Sequence, residues 1–176
     1  MRQRGNHYRY QIYRSVALQQ AKELALNNSD LRNCGIDGTR ILLEPINQKT
    51  IEDSLSWGDG ASLYPWEDVP TWKNRDPKGI DIALWYDTEL CGMAYASPRQ
   101  SKLCIKIILL EGKPDVTHPL KGFVAPLVIT AVESYAVLIN CCEIEIEDPN
   151  PGAVEWYKSL GFEYGSSDRL VMAIQQ

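Results

Sequence analysis

From Ile80 to Leu110 the sequence reads as three β-strands in succession, and a long apolar helix follows them. Ile80-Asp81-Ile82-Ala83-Leu84-Trp85-Tyr86 is the first, rich in β-branched and aromatic residues. Asp87 to Glu89 forms a tight turn, and Leu90 to Ala96 returns as the second arm of a hairpin. Pro98 to Lys102 turns the chain again into Leu103–Leu110, a third antiparallel strand. After a loop from Glu111 to Leu120, Phe123, Leu127, Val128, Ala131, Val132 and Tyr135 give one broad apolar face to a helix from Gly122 to about Asn140. Cys142 to Glu147 alternates as a strand with one wet face. Gly152–Ser159 is a short helix stopped by Gly161, and Arg169–Ile174 is the last strand. Such an order demands an α/β (α+β) fold: a mixed, mostly antiparallel central sheet with helices on both faces.

The first 79 residues are less regular. Tyr8-Arg9-Tyr10-Gln11-Ile12-Tyr13 reads as a short strand, and Ser15 as the N-cap of a helix through Leu26. Ile41–Leu43 fits either a strand or a helix start. Residues 57–79 interleave Trp57, Tyr64, Trp66 and Trp72 with prolines and glycines, a pattern expected to form a long irregular loop. Its rings either pin it to the core or line a substrate pocket, with Trp66 and Trp72 the candidate acceptor contacts. With no repeat and no low-complexity linker, residues 1–176 are expected to form a single domain.

Composition narrows the class. Hydrophobic residues make up 44% and charged residues 23%, which suits a globular chain. The longest apolar run, Val124 to Leu138, is interrupted by Thr130 and Glu133, so no membrane span is expected. Arg2, Arg4 and Arg9 precede no apolar segment of the signal-peptide kind. Five cysteines without CxxC spacing and only two histidines argue against a metal site and for a reduced, cytoplasmic setting. Residues 1–22 hold five basic groups and no acid, so the other 154 carry −10 of the net −5. That acidic body argues against nucleic acid as a partner and suits a cationic acceptor.

The most specific stretch is Asp148-Pro149-Asn150-Pro151-Gly152-Ala153-Val154-Glu155-Trp156-Tyr157-Lys158-Ser159-Leu160-Gly161-Phe162. Asn150 can turn its side chain to an amide-bearing ligand, and Ala153 allows close approach. Tyr157, one turn further on the same helical face, presents a phenol to that space. This spacing resembles the signature Asn-x-x-Ala-x-x-x-Tyr-x-x-x-Gly-Phe of the Gcn5-related N-acetyltransferases, every fixed position of which is filled. The hairpin with Gly92 is also similar, and the likeness covers residues 80–176, the expected CoA-binding core.

The resemblance implies that acetyl-CoA is the co-substrate, without a metal, in a cleft where two parallel strands splay apart near Leu110 and Glu147. It implies that the backbone at Leu109 and Leu110 pairs with pantetheine, and that Asn150 and Ala153 flank it. The family's pyrophosphate loop aligns with Pro119-Leu120-Lys121-Gly122-Phe123-Val124, then Ala125. Helix N-termini hold anions through unpaired N–H groups. Two departures stand out: Pro119 replaces an Arg or Gln, and Val124, in place of a small residue, is expected to crowd the phosphates. Tyr157 is the implied acid for the leaving thiolate. Glu111 resembles a base position of some members, against the plainer reading of a solvated turn residue.

The implied reaction moves an acetyl group to a small-molecule or peptide amine by direct attack in a ternary complex. The altered loop gives a rival reading, a weak or inactive binding module. The basic, Tyr-rich N-terminus gives a third, a toxin-type enzyme acetylating aminoacyl-tRNA. A homodimer is left open.

Overall fold

The computed structural model describes residues 2–98, 100, 103–146 and 148–175, with side chains from residue 7 onward. Among these, seven strands form one sheet in the order β1-β2-β3-β4-β5-β7-β6. They are β1 (Ile41–Glu44), β2 (Ile80–Tyr86), β3 (Glu89–Pro98), β4 (Cys104–Gly112), β5 (Glu143–Ile146), β6 (Glu163–Tyr164) and β7 (Leu170–Ala173). Every neighbouring pair is antiparallel except β4 and β5. The mixed, mostly antiparallel sheet expected from the sequence is what forms.

Strand alternation explains why the sheet is covered twice. Ile80, Ile82, Leu84 and Tyr86 of β2 enter one core, which α1 (Arg2–Leu26) and α5 (Val124–Leu138) cover. Ala83 and Trp85 enter a second core, with Leu90, Met93 and Tyr95 of β3 and the rings of Trp57 and Trp66. Each face thus removes apolar side chains from water, worth about 1.5–3 kcal/mol for each large one.

The N-terminal strand expected at 8–13 is instead part of α1. Ala17, Leu18, Ala21 and Ala25 are buried on the face that meets α5, and the helix runs on upstream past Ser15. Arg9 Nε donates to Tyr13 Oη across one turn at 2.7 Å, and Arg14 donates to the Pro77 and Gly79 carbonyls at 2.8 and 3.0 Å. Local strand preference at Tyr8 and Ile12 loses to these helical contacts.

The stretch 57–79 is also more regular than expected. A 3₁₀ turn at Trp66–Asp68 runs into α4 (Val69–Arg75), with Pro70 in the first turn, where its missing N–H would have had no partner. The remaining helices are α2 (Ser29–Asn33), α3 (Gln48–Leu55) and α6 (Val154–Ser159). A capping box between Asn47 and Thr50 starts α3. Buried Asp81 of β2 accepts from the Ile46 N–H at 2.8 Å and from Lys73 Nζ at 2.9 Å, tying the approach to α3 and α4 to the sheet.

Candidate active site

The sheet opens where its two parallel strands part. Pairing of β4 with β5 runs from Cys104–Glu143 to Ile107–Ile146, while β4 continues to Gly112. A bulge helps to bend β4 there: Tyr95 faces Leu109 and Ala96 faces Ile107, so Ile108 has no counterpart on β3. Leu109 and Leu110 therefore lie on the stretch of β4 that has parted from β5. The far boundary expected at Glu147 lies outside the described residues.

Three cavities follow this opening. The middle one, about 270 Å³, lies between β4 and the start of the α6 region, where Ile108, Leu110, Asn150, Ala153 and Tyr157 line it. The second, about 340 Å³, reaches the N-terminus of α5 past Lys113, His118, Lys121 and Gly122, and shares Leu110, Gly112 and Tyr157 with the first. The third, about 350 Å³, lies behind Tyr64 and Glu111, which it shares with the middle one. Tyr157 thus stands at one junction and Glu111 at the other.

Tyr157 is half-buried, with its ring 5.9 Å from Phe162 and 5.8 Å from Trp156. Burial first, and Tyr64 second, push its pKa above the usual phenol value, so it keeps its proton. No hydrogen bond occupies its hydroxyl among the described residues. A protonated, unengaged phenol in a cleft can donate to a group that gains negative charge.

Glu111 is 6% exposed, not a solvated turn residue. One of its oxygens accepts from the Ser62 N–H and the other from the Trp66 indole at 2.8 Å. Each oxygen keeps a further lone pair for a ligand donor. Trp66, also buried, is therefore both a wall of the third cavity and the clamp on Glu111. Trp72 does not join it: its ring packs 5.4 Å from Tyr95, and it lines none of the three cavities.

At the helix end, Gly122 adopts φ +84°, which favours glycine even though a Cβ would meet nothing within 4 Å. No side chain caps α5, so its first N–H groups keep their capacity for an anion. Lys121 makes no ion pair among the described residues, whereas Lys113 pairs with Glu89 at 2.7 Å. Phe123 stands at the N-cap position, half-buried against the core, and Ala125 lines the cavity. Val124 corrects the expectation of a crowded phosphate loop. Its side chain sits over Gly92 and Gly112, where a Cβ on Gly92 would lie 2.4 Å from it. The two glycines make room for the valine, which is buried against the sheet and also lines the cavity.

Asn150 lines the middle cavity with one half of its amide already engaged. Its side-chain oxygen accepts from the Gly152 N–H at 2.9 Å and caps the turn Pro151–Ala153, leaving the NH₂ group as its free donor. Nothing local in the sequence singles out Tyr64 or α3 as a wall of the third cavity. The Asn47-x-x-Thr50 cap pattern was the available signal for α3. His118 is 4% exposed with Nδ1 unpartnered, and burial, then Lys121, push its pKa down.

No group of three or more His, Cys, Asp or Glu stands together as a metal site among the described residues, and no helix there is long and apolar enough to cross a membrane. No family model matches the sequence, and no curated protein matches it by sequence. Solved structures do match by shape. Ard1 from Thermoplasma volcanium aligns over 78% of this chain and 99% of its own, at TM-score 0.59 and 15% identity. The ribosomal-protein-S18-alanine N-acetyltransferase from Escherichia coli aligns over 77% and 95%, at 0.56 and 13%. A Bacillus subtilis acetyltransferase in complex with CoA aligns over 77% and 99%, at 0.53 and 19%. With its parted β4 and β5, its single mixed sheet and these structural neighbours, the chain has the fold of the Gcn5-related N-acetyltransferase superfamily.

Proposed function

We propose that this protein is an acyl-CoA-dependent N-acyltransferase that moves an acetyl group from acetyl-CoA to an amine by direct attack in a ternary complex. The observation that carries the reading is the placement of Tyr157 and Glu111 at opposite ends of the cleft beside the free stretch of β4. A proton donor and a proton acceptor flanking an unpaired strand edge are what transfer to an amine needs.

The residues present fit acetyl-CoA. Lys121 and the first N–H groups of α5 suit its pyrophosphate, and the backbone of Leu109 and Leu110 suits the amides of its pantetheine. When bound, it supplies the activated acyl carbon and a sulfur leaving group. The Glu111 carboxylate draws in the ammonium and accepts a proton from it. As the C–N bond forms and the C–S bond breaks, Tyr157 hands its proton to the departing sulfur. Of the two protons the ammonium gives up, one replaces that of Tyr157 and the other leaves through Glu111. Cys91 and Cys141 are poor acyl carriers, because burial pushes their thiols up to about 11, away from the nucleophilic thiolate.

The binder alternative drew on Pro119 and Val124 as departures in the phosphate loop. With the Val124 side chain seated over Gly92 and Gly112, that alternative rests on Pro119 alone. Thiol release from acetyl-CoA, followed with a panel of primary amines, tests the reading. Amine-dependent release with the matching N-acetyl product by mass spectrometry is expected; release that ignores every amine would contradict it.

A further inference from the structure

The third cavity has a chemical character of its own. Ile51 and Leu55 from α3 and Trp57, Leu63, Tyr64 and Trp66 from the following segment supply walls of carbon and rings. Some of its polar groups are engaged within the protein. The Ser54 hydroxyl donates to the Ile51 carbonyl at 2.7 Å, and the Trp66 indole donates to Glu111. Glu111 and Glu67 line it, and no Lys, Arg or His does. Such a space rejects a ligand carboxylate, holds an ammonium at one end and asks for an apolar body elsewhere. At about 350 Å³ it lies at the small end for ligand sites.

The rim adds an independent observation. Leu63 holds φ +55° and is 91% exposed. Leu55, on the same rim, is 76% exposed. A leucine in the left-handed region is strained, and here it gains no burial in return. Two large apolar side chains held in water around one opening mark a surface for an apolar ligand.

We propose that this cavity takes the acceptor, and that the acceptor is a small primary amine with an apolar, ring-sized body, its ammonium at Glu111. The proposal rests on the acyltransferase reading above. A peptide would carry amide groups along walls made mostly of carbon, each unpaired group being costly. A polyamine would have to spread its further ammonium groups along the walls of Ile51, Leu55, Trp57 and Leu63, with Glu67 the one other carboxylate in that lining.

The test compares 2-phenylethylamine, spermidine and an alanine-initiated tripeptide as acceptors with acetyl-CoA, alongside the Leu63→Gly variant. Glycine accepts φ +55° without strain, so that variant is expected to fold at least as well. 2-Phenylethylamine is expected to have the highest kcat/KM, by about tenfold or more. Its KM should rise about five- to tenfold in Leu63→Gly while CoA affinity stays unchanged. Preference for spermidine or the tripeptide, or a KM indifferent to Leu63→Gly, would overturn the acceptor class and leave the acyltransferase reading standing. If CoA binds but no amine is turned over, calorimetry of 2-phenylethylamine with the CoA-bound protein decides, and absence of binding overturns the proposal. If CoA itself fails to bind, the acyltransferase reading falls instead.

Discussion

The Trp66 indole donates to the Glu111 carboxylate at 2.8 Å, joining the aromatic segment to the end of β4. Trp66→Phe keeps an aromatic ring, though a smaller one, and deletes this donor, leaving a buried carboxylate oxygen short of a partner. A loss of about 1.5–3 kcal/mol in urea unfolding is expected, as for a hydrogen bond to a charged group. Trp66→Ala should cost about 3–5 kcal/mol, because the ring is also core. Unchanged stability in Trp66→Phe would mean that the loop holds Glu111 by other means.

Tyr157→Phe keeps the packing on Phe162 and Trp156 and removes the acidic proton. CoA affinity should hold while kcat falls by about 10²–10⁴, and kcat/KM should fall with it. A kcat equal to that of the wild type would assign sulfur protonation to another group.

Val124 and Gly92 should behave as a coupled pair. Gly92→Ala drives a methyl into the valine and is expected to cost about 1–3 kcal/mol. In Gly92→Ala/Val124→Ala the added and removed carbons offset each other, so the double variant should lose less than the sum of the singles. Additive losses in a thermal-unfolding cycle would contradict the contact.

His118 makes stability depend on pH. Its folded pKa is depressed, so the unfolded chain binds the proton more readily, and the contribution present above the unfolded value of about 6.5 is lost as pH falls. The groups facing it are Lys113, Lys121, Asp115 and Glu89. His118→Gln should flatten the stability profile between about pH 7 and 5 relative to wild type. Parallel profiles for the two proteins would remove His118 from the account.

The hairpin and the mixed sheet were legible because β2 and β3 alternate cleanly between two apolar cores. The first half of α1 was not, since Tyr8 and Ile12 face water and carry strand preference. In the site, Asn150, Ala153 and Tyr157 could be read from spacing because one turn and one short helix position all three. The burial of Glu111 could not, because its partners Ser62 and Trp66 lie 49 and 45 residues away and leave no local trace. The seat of Val124 was hidden for a similar reason: the glycines that receive this helix residue are on strands β3 and β4.

Calorimetric titration of the wild-type protein with CoA tests the central claim most directly. Saturable binding at one site per chain is expected, with a thermal midpoint that rises as CoA is added. At a hundredfold excess over Kd the native state gains about 2.7 kcal/mol. No heat of binding and an unmoved midpoint at millimolar CoA would contradict the claim.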